Sequence, residues 1–165
     1  MAIVCVYILA LLMVLAGSHG GTQVWGVPLF ALCALFAFAL QWLAFVPAYL
    51  RQTEKFYDLT GSLAFIGATV LALCLTDTRD TRSLVLAACV LIWAARLGSF
   101  LFVRILKDGA DSRFDRIKPV ASRFFLTWSL QGLWVLLTAG CALAVISGGA
   151  EKPLGLVALF GLVLW

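Results

Sequence analysis

Arg96 stands inside one of the most apolar stretches of the chain, Leu91-Ile92-Trp93-Ala94-Ala95-Arg96-Leu97-Gly98. A charge at that depth of a membrane span costs about 2.5–3.5 kcal/mol on insertion scales, so it normally faces a polar interior or a partner. On a helix turning about 100° per residue, Phe100, Val103 and Lys107 share its face, and Arg104 lies less than a quarter-turn away. Arg96 and Lys107 are then about 16 Å apart along the axis. A structural ion pair or a snorkelling arginine accounts for Arg96 alone. The cationic stripe as a whole also suits an elongated anion such as a dinucleotide.

Two polar connectors carry the other candidates. Lys107-Asp108-Gly109-Ala110-Asp111-Ser112-Arg113-Phe114-Asp115-Arg116 mixes both charge signs with a glycine and an aromatic ring. Guanidinium forks suit phosphates, and glycine permits close backbone approach. Carboxylates such as Asp111 suit ribose hydroxyls. A solvated loop has the same composition. Neither a Walker A loop nor a G-x-G-x-x-G fingerprint is present. The second cluster is Glu54, Tyr57 and Asp58, followed by Thr60, Gly61 and Ser62. A carboxyl beside apolar surroundings is held towards its neutral form and can act as an acid. Tyr57 could donate a proton, or simply anchor at headgroup level. Further on, Thr127, Gln131, Trp134 and Thr138 recur at i, i+4, i+7 and i+11. Interhelical hydrogen bonding is the expected role of that stripe, and Gln131 is large enough to line a ligand cavity.

Positioning these groups falls to a membrane protein. Hydrophobic residues make up 64% of the 165 and charged residues 12%, with a mean hydropathy of +1.07. A soluble domain of this size carries roughly 25% charged residues and cannot hide so much apolar surface. Apolar runs over 1–16, 24–50, 59–75, 83–106 and 124–146 predict five spans, and a sixth run starts at 154. Backbone groups in lipid must be satisfied within the segment, and the runs are too uniform for barrel strands. The predicted fold is therefore all-α, a polytopic helical membrane protein of one domain, with five full transmembrane helices and a truncated sixth. Cys5, Cys33, Cys74, Cys89 and Cys141 all lie in apolar runs and read as buried small hydrophobes. His19 is the only histidine. No metal site and no nucleic-acid partner are expected; the expected surroundings are the lipid bilayer and a lipophilic small molecule.

The connectors at 51–58 and 107–123 hold Arg51, Lys55, Lys107, Arg113, Arg116, Lys118 and Arg123, against Arg79, Arg82 and Lys152 in the others. That bias places the N-terminus and both long connectors in the cytoplasm.

The block Lys55-Phe56-Tyr57-Asp58-Leu59-Thr60-Gly61-Ser62, then Arg96-Leu97-Gly98 through Arg113-Phe114-Asp115, then Arg123-Phe124-Phe125 to Leu130-Gln131-Gly132, resembles one family. It is the uncharacterised bacterial, domain-of-unknown-function branch of the steroid 5-alpha-reductase family, and the resemblance runs roughly from Gln52 to Trp165. It implies a membrane oxidoreductase, in a bacterial inner membrane, that binds NADPH from the cytoplasmic side and reduces a C=C bond conjugated to a ketone in a lipophilic substrate. Arg96 resembles the family's cofactor-contacting arginine. With Arg104 and Lys107 it would hold phosphates, while Asp111 and Arg113 would meet ribose or adenylate phosphate. Asp58, with Tyr57 or Glu54, would orient or protonate the substrate, and Gln131 would line its pocket. Trp93 falls where the steroid enzymes have a catalytic tyrosine, a departure from their pattern. The family's Arg-His-Pro-Asn-Tyr-like run is absent, which implies C-terminal truncation and a chain that does not work alone. A membrane methyltransferase using S-adenosylmethionine and a non-enzymatic helical bundle are the rival readings. The topology has a direct check. A reporter fused at Thr78 should signal from the outer side and one at Ala110 from the cytoplasm; a cytoplasmic signal at Thr78 would overturn the orientation.

Overall fold

The computed structural model describes residues 1–149 and 153–165. Lys152, in the last predicted turn, lies outside the described residues. In chain order come α1 (Ala2–Gly17), β1 (Gln23–Val24), β2 (Val27–Pro28), α2 (Leu29–Leu50), α3 (Tyr57–Leu75), α4 (Thr81–Asp108), a 3-10 turn (Ser112–Phe114), α5 (Ala121–Ser147) and α6 (Leu156–Leu164). The all-α expectation holds apart from one two-residue hairpin. Four helices, α2 to α5, are long and apolar enough to cross a membrane, and the protein is an integral membrane protein. The fifth full span expected at the N-terminus falls short. With 16 residues, α1 reaches about 24 Å against a hydrocarbon core of about 30 Å. The nine-residue α6 has no buried residue.

The second span begins five residues later than its apolar run suggests. Trp25 and Gly26 take φ of 52° and 78°, the two positive values that a tight hairpin turn requires. Val24 pairs with Val27 and Gln23 with Pro28, antiparallel. Pro28 then caps α2, because its ring fixes φ and it has no N–H to leave unpaired. At the start of α3 and at both ends of α4 and α5 the helices run longer than hydropathy alone indicates. Asp80 caps α4, its carboxylate accepting from the Ser83 N–H at 2.8 Å. Gly109, at φ 81°, stops the same helix, and its N–H reaches the Ile105 carbonyl at 2.9 Å. Tyr57 and Asp58, read as connector, form the first turn of α3.

The bundle is organised around α5, which packs on α1, α2, α3 and α4, and around α3, which packs on α2 and α4. Water does not drive helices together inside a bilayer, so close contact between small residues must do so. The buried face of α4 is Ser83, Ala87, Ala94, Gly98 and Ile105, and α3 buries Ala64, Ala68 and Ala72 completely. A Cβ on Gly98 would collide with Ser62, and one on Gly61 with the Gln131 amide. Only Cys33 of the five cysteines is buried, its thiol donating to the Ala68 carbonyl at 3.5 Å. Cys5, Cys74 and Cys141 are exposed on the outer helix faces, because an apolar run does not distinguish a lipid-facing from a bundle-facing position. Ser129 of α5 does join helices, 3.3 Å from the Tyr7 hydroxyl and accepting from Trp42 Nε1 at 3.3 Å, but the two threonines of the expected stripe do not. Thr127 and Thr138 donate to carbonyls of their own helix, Arg123 at 2.9 Å and Trp134 at 2.6 Å. Replacing Gly98 tests the packing argument. Gly98→Val should force α3 and α4 apart and lower stability by about 1–3 kcal/mol; an unchanged melting midpoint in detergent would show that close approach is unnecessary there.

Candidate functional site

The sequence candidates meet where α3 begins and α4 ends. Glu54 is only 5% exposed. Its Oε2 receives Lys118 Nζ at 2.6 Å and its Oε1 accepts from the Asp111 N–H at 2.8 Å. Burial pushes the Glu54 pKa up. The Lys118 hydrogen bond and the Asp111 N–H outweigh it and hold the carboxyl below its ordinary range. Lys118 also faces Asp115 at 3.7 Å. These contacts draw the 109–120 connector down onto the 51–56 connector. Phe114 completes the attachment: it is buried with Ala48, Phe124 and Trp128, and its ring meets Tyr57 edge-on at 5.1 Å.

Beside this lock lies a mixed-charge cleft. Asp58, on the first turn of α3, faces Arg104 of α4 with 3.6 Å between Oδ2 and Nη2. Asp111 accepts from Arg113 through both carboxylate oxygens and also from the Arg113 N–H at 3.0 Å. The Arg113 hydrogen bond holds the Asp111 carboxyl below its usual range. Reciprocally, Asp111 and then the charge of Asp58 raise the pKa of Arg113. The cleft measures about 370 Å³ and is lined by Arg104, Asp108, Ala110, Asp111 and Arg113, among others. Arg104 and Arg113 are both partly exposed and keep donors free for a further anion. The space above Gly109 is open.

Other candidates are placed elsewhere. Arg96 and Lys107 are exposed on the outer face of α4. Arg96 lines a separate cleft of about 440 Å³ with Trp93, Leu97 and Phe100, and no ion pair joins it to another described residue. Arg104 is eight residues further on, about 12 Å along the helix, and turns towards α3. The Tyr57 hydroxyl donates to the Thr127 carbonyl at 3.1 Å, so it ties α3 to α5. Gln131 packs on Gly61, one turn deeper than Asp58.

The comparisons with known proteins bear on this same region. Residues 44–165 match a family described as "Protein of unknown function (DUF1295)". The chain belongs to the DUF1295 family. That family is associated with steroid 5-alpha-reductase-like proteins. No curated protein and no solved structure matches the chain. The match takes in Glu54, Asp58, Arg104, Asp111 and Arg113, so the whole lock and cleft of this DUF1295 protein lie inside the family domain.

The pairing of Lys118 and the burial of Gln41 are absent from the sequence reading. Lys118 was one basic residue among seven, and nothing local marks it as the partner of Glu54. Gln41 is fully buried on α2, and both of its amide atoms lack a partner among the described residues. A lone polar residue inside a long apolar run is the signal that would have found it. Among the described residues, no three His, Cys, Asp or Glu side chains gather as a metal site requires.

Glu54 in this DUF1295 protein yields a measurable pH dependence. Its folded pKa is depressed, so its stabilisation is complete above its unfolded pKa and is lost as pH falls through the folded value. At pH 7, Glu54→Gln should cost about 3–5 kcal/mol, because the mostly buried Lys118 loses its close partner and keeps only the longer contact to Asp115. The gap in melting midpoint between wild type and variant should shrink in strong acid. A gap at pH 2 as wide as at pH 7 would remove Glu54 from this role.

Proposed function

We propose that this DUF1295 protein is a membrane-embedded NAD(P)H-dependent oxidoreductase that reduces a conjugated C=C bond of a lipophilic substrate. The observation that supports it is the mixed-charge cleft where α4 leaves the membrane. A simple anion site would present cations alone. Here guanidinium groups and carboxylates alternate, which suits a ligand carrying both phosphates and ribose hydroxyls. Arg104 and Arg113 would hold phosphate, and Asp108 and Asp111 would accept from hydroxyls. From that cleft to Arg96 is about 12 Å along the exposed flank of α4. A dinucleotide lying on this flank would extend from Arg104 to the Trp93–Phe100 cleft, with Lys107 over its solvent side.

A bound nicotinamide would supply the hydride, and the protein would supply position and charge. Asp58 is the carboxyl left to polarise or protonate a substrate oxygen, since it is paired with Arg104, which lines the cleft. Glu54 and Tyr57 then act by positioning: one fixes Asp111, the other fixes the first turn of α3. Gln131, one turn deeper against Gly61, would stand at the substrate end. The bundle's basic end would lie in the cytoplasm, where the cofactor is available.

NADPH binding to the full-length protein in lipid nanodiscs tests this reading. Arg104→Gln should weaken affinity roughly tenfold to hundredfold, the loss of one charge-assisted contact. Asp58→Asn should leave affinity largely intact and lower enone-dependent NADPH oxidation by about 10²–10⁴. Binding of S-adenosylmethionine in place of NADPH would overturn the reductase reading in favour of methyl transfer, and binding of neither would overturn both.

A further inference from the structure

A second cleft opens at the same end of the bundle, between the last turns of α2 and the first turns of α3. It measures about 300 Å³. Ala44, Pro47, Ala48, Phe56, Leu59 and Leu63 form apolar walls, and Arg51 and Thr53 also line it. Pro47 and Leu63 are exposed, so the slot opens sideways, towards lipid. Ala44 and Arg51 are about 10 Å apart along α2. The slot therefore begins in the apolar zone and ends at a cation at the membrane edge.

Arg51 is free of the contacts that usually occupy an arginine at a helix C-terminus. The Pro47, Ala48 and Tyr49 carbonyls already accept from the Arg51, Thr53 and Gln52 N–H groups. The Gln52 amide adds a second bond to Tyr49 at 2.7 Å. Nearby carboxylates are engaged as well, Glu54 by Lys118, Asp58 by Arg104 and Asp111 by Arg113. Neither Arg51 nor Lys55 makes an ion pair among the described residues. The result is an uncompensated guanidinium above an apolar slot at the bilayer edge.

We propose that this cleft holds an anionic phospholipid, with one acyl chain between α2 and α3 and the phosphate on Arg51. A zwitterionic lipid fills the slot but brings no net charge to Arg51. A soluble anion finds Arg51 but makes no use of the slot. Juxtamembrane basic residues attract anionic headgroups in this way. The site is separate from the Arg104–Asp111 cleft and does not rest on the reductase reading, because binding is measured with no nucleotide present.

The experiment titrates dioleoyl phosphatidylglycerol and dioleoyl phosphatidylcholine into the purified chain in detergent. Retained lipid is counted by native mass spectrometry, alongside the melting midpoint. Phosphatidylglycerol should bind roughly tenfold to hundredfold more tightly, as expected for one charge-assisted contact. Arg51→Gln should remove that preference, and Arg51→Lys should retain most of it. Leu63→Trp, which fills the slot from its exposed side, should lower retention of both lipids. Both Arg51 variants should keep the lipid-free melting midpoint, since the side chain has no protein partner to lose. Equal affinity for the two lipids would overturn the proposal, as would a preference that survives Arg51→Gln. So would stabilisation by glycerol phosphate equal to that by phosphatidylglycerol, which would identify a soluble-anion site.

Discussion

The candidate site depends on one buried charge. A carboxylate taken out of water costs several kcal/mol unless it is paired and its remaining lone pairs are filled. Glu54 meets both conditions, with Lys118 on one oxygen and the Asp111 N–H on the other. Each bond joins segments that are far apart in sequence, so the compensation also closes the structure. Without it the 109–120 connector would keep its apolar contacts through Phe114 and Ile117, but neither Asp111 nor Arg113 would have a defined place beside Asp58. The lock stabilises, but its larger effect is positional: it sets which charges can meet above the ends of α3 and α4.

The bundle beneath supplies the complementary constraint. Small residues on the buried face of α4, Ala87, Ala94 and Gly98, allow α3 to approach closely. Arg96, Phe100 and Lys107 are exposed on the outer side, and Trp93 stands at the seam, its ring edge-on to Phe65 of α3 at 5.0 Å. Cationic and aromatic groups therefore share a flank that runs continuously into the mixed-charge cleft.

Much of this was legible in the sequence, and the limits are physical. Hydropathy located α2 to α5, because a span is defined by length and apolarity. It overreached at the start of the second span. Val24 and Val27 are as apolar as a helix needs, yet Gly26 and Pro28 turn them into a hairpin. The Met1–Gly17 region reads like a span until its length is measured. Asp58, Arg104, Asp111 and Arg113 were recognisable as chemistry-bearing residues, and they do converge. Their pairings were not recognisable. Lys118 is 64 residues from Glu54, and seven basic residues in the connectors were equally plausible partners. Arg96 stood out because its cost is local, whereas the cost of burying Glu54 arises only after folding.

The location of the cleft has a consequence for any ligand that must meet a lipid. Charges at the centre of a bilayer are expensive, and charges in open water are screened within about 8–10 Å. At the end of α4, Arg104 and Arg113 meet neither limit. Arg104 is 40% exposed and Arg113 70%, so both lie between the apolar flank and open water. A polar ligand bound there would have its charged part on the guanidinium groups and an apolar part against Phe100 and Trp93, about one and about three helical turns deeper. No single residue in the membrane interior could provide both. The Glu54 lock and the small-residue face of α4 therefore act together: one fixes the charged end of the site, the other keeps the route into the membrane uncovered.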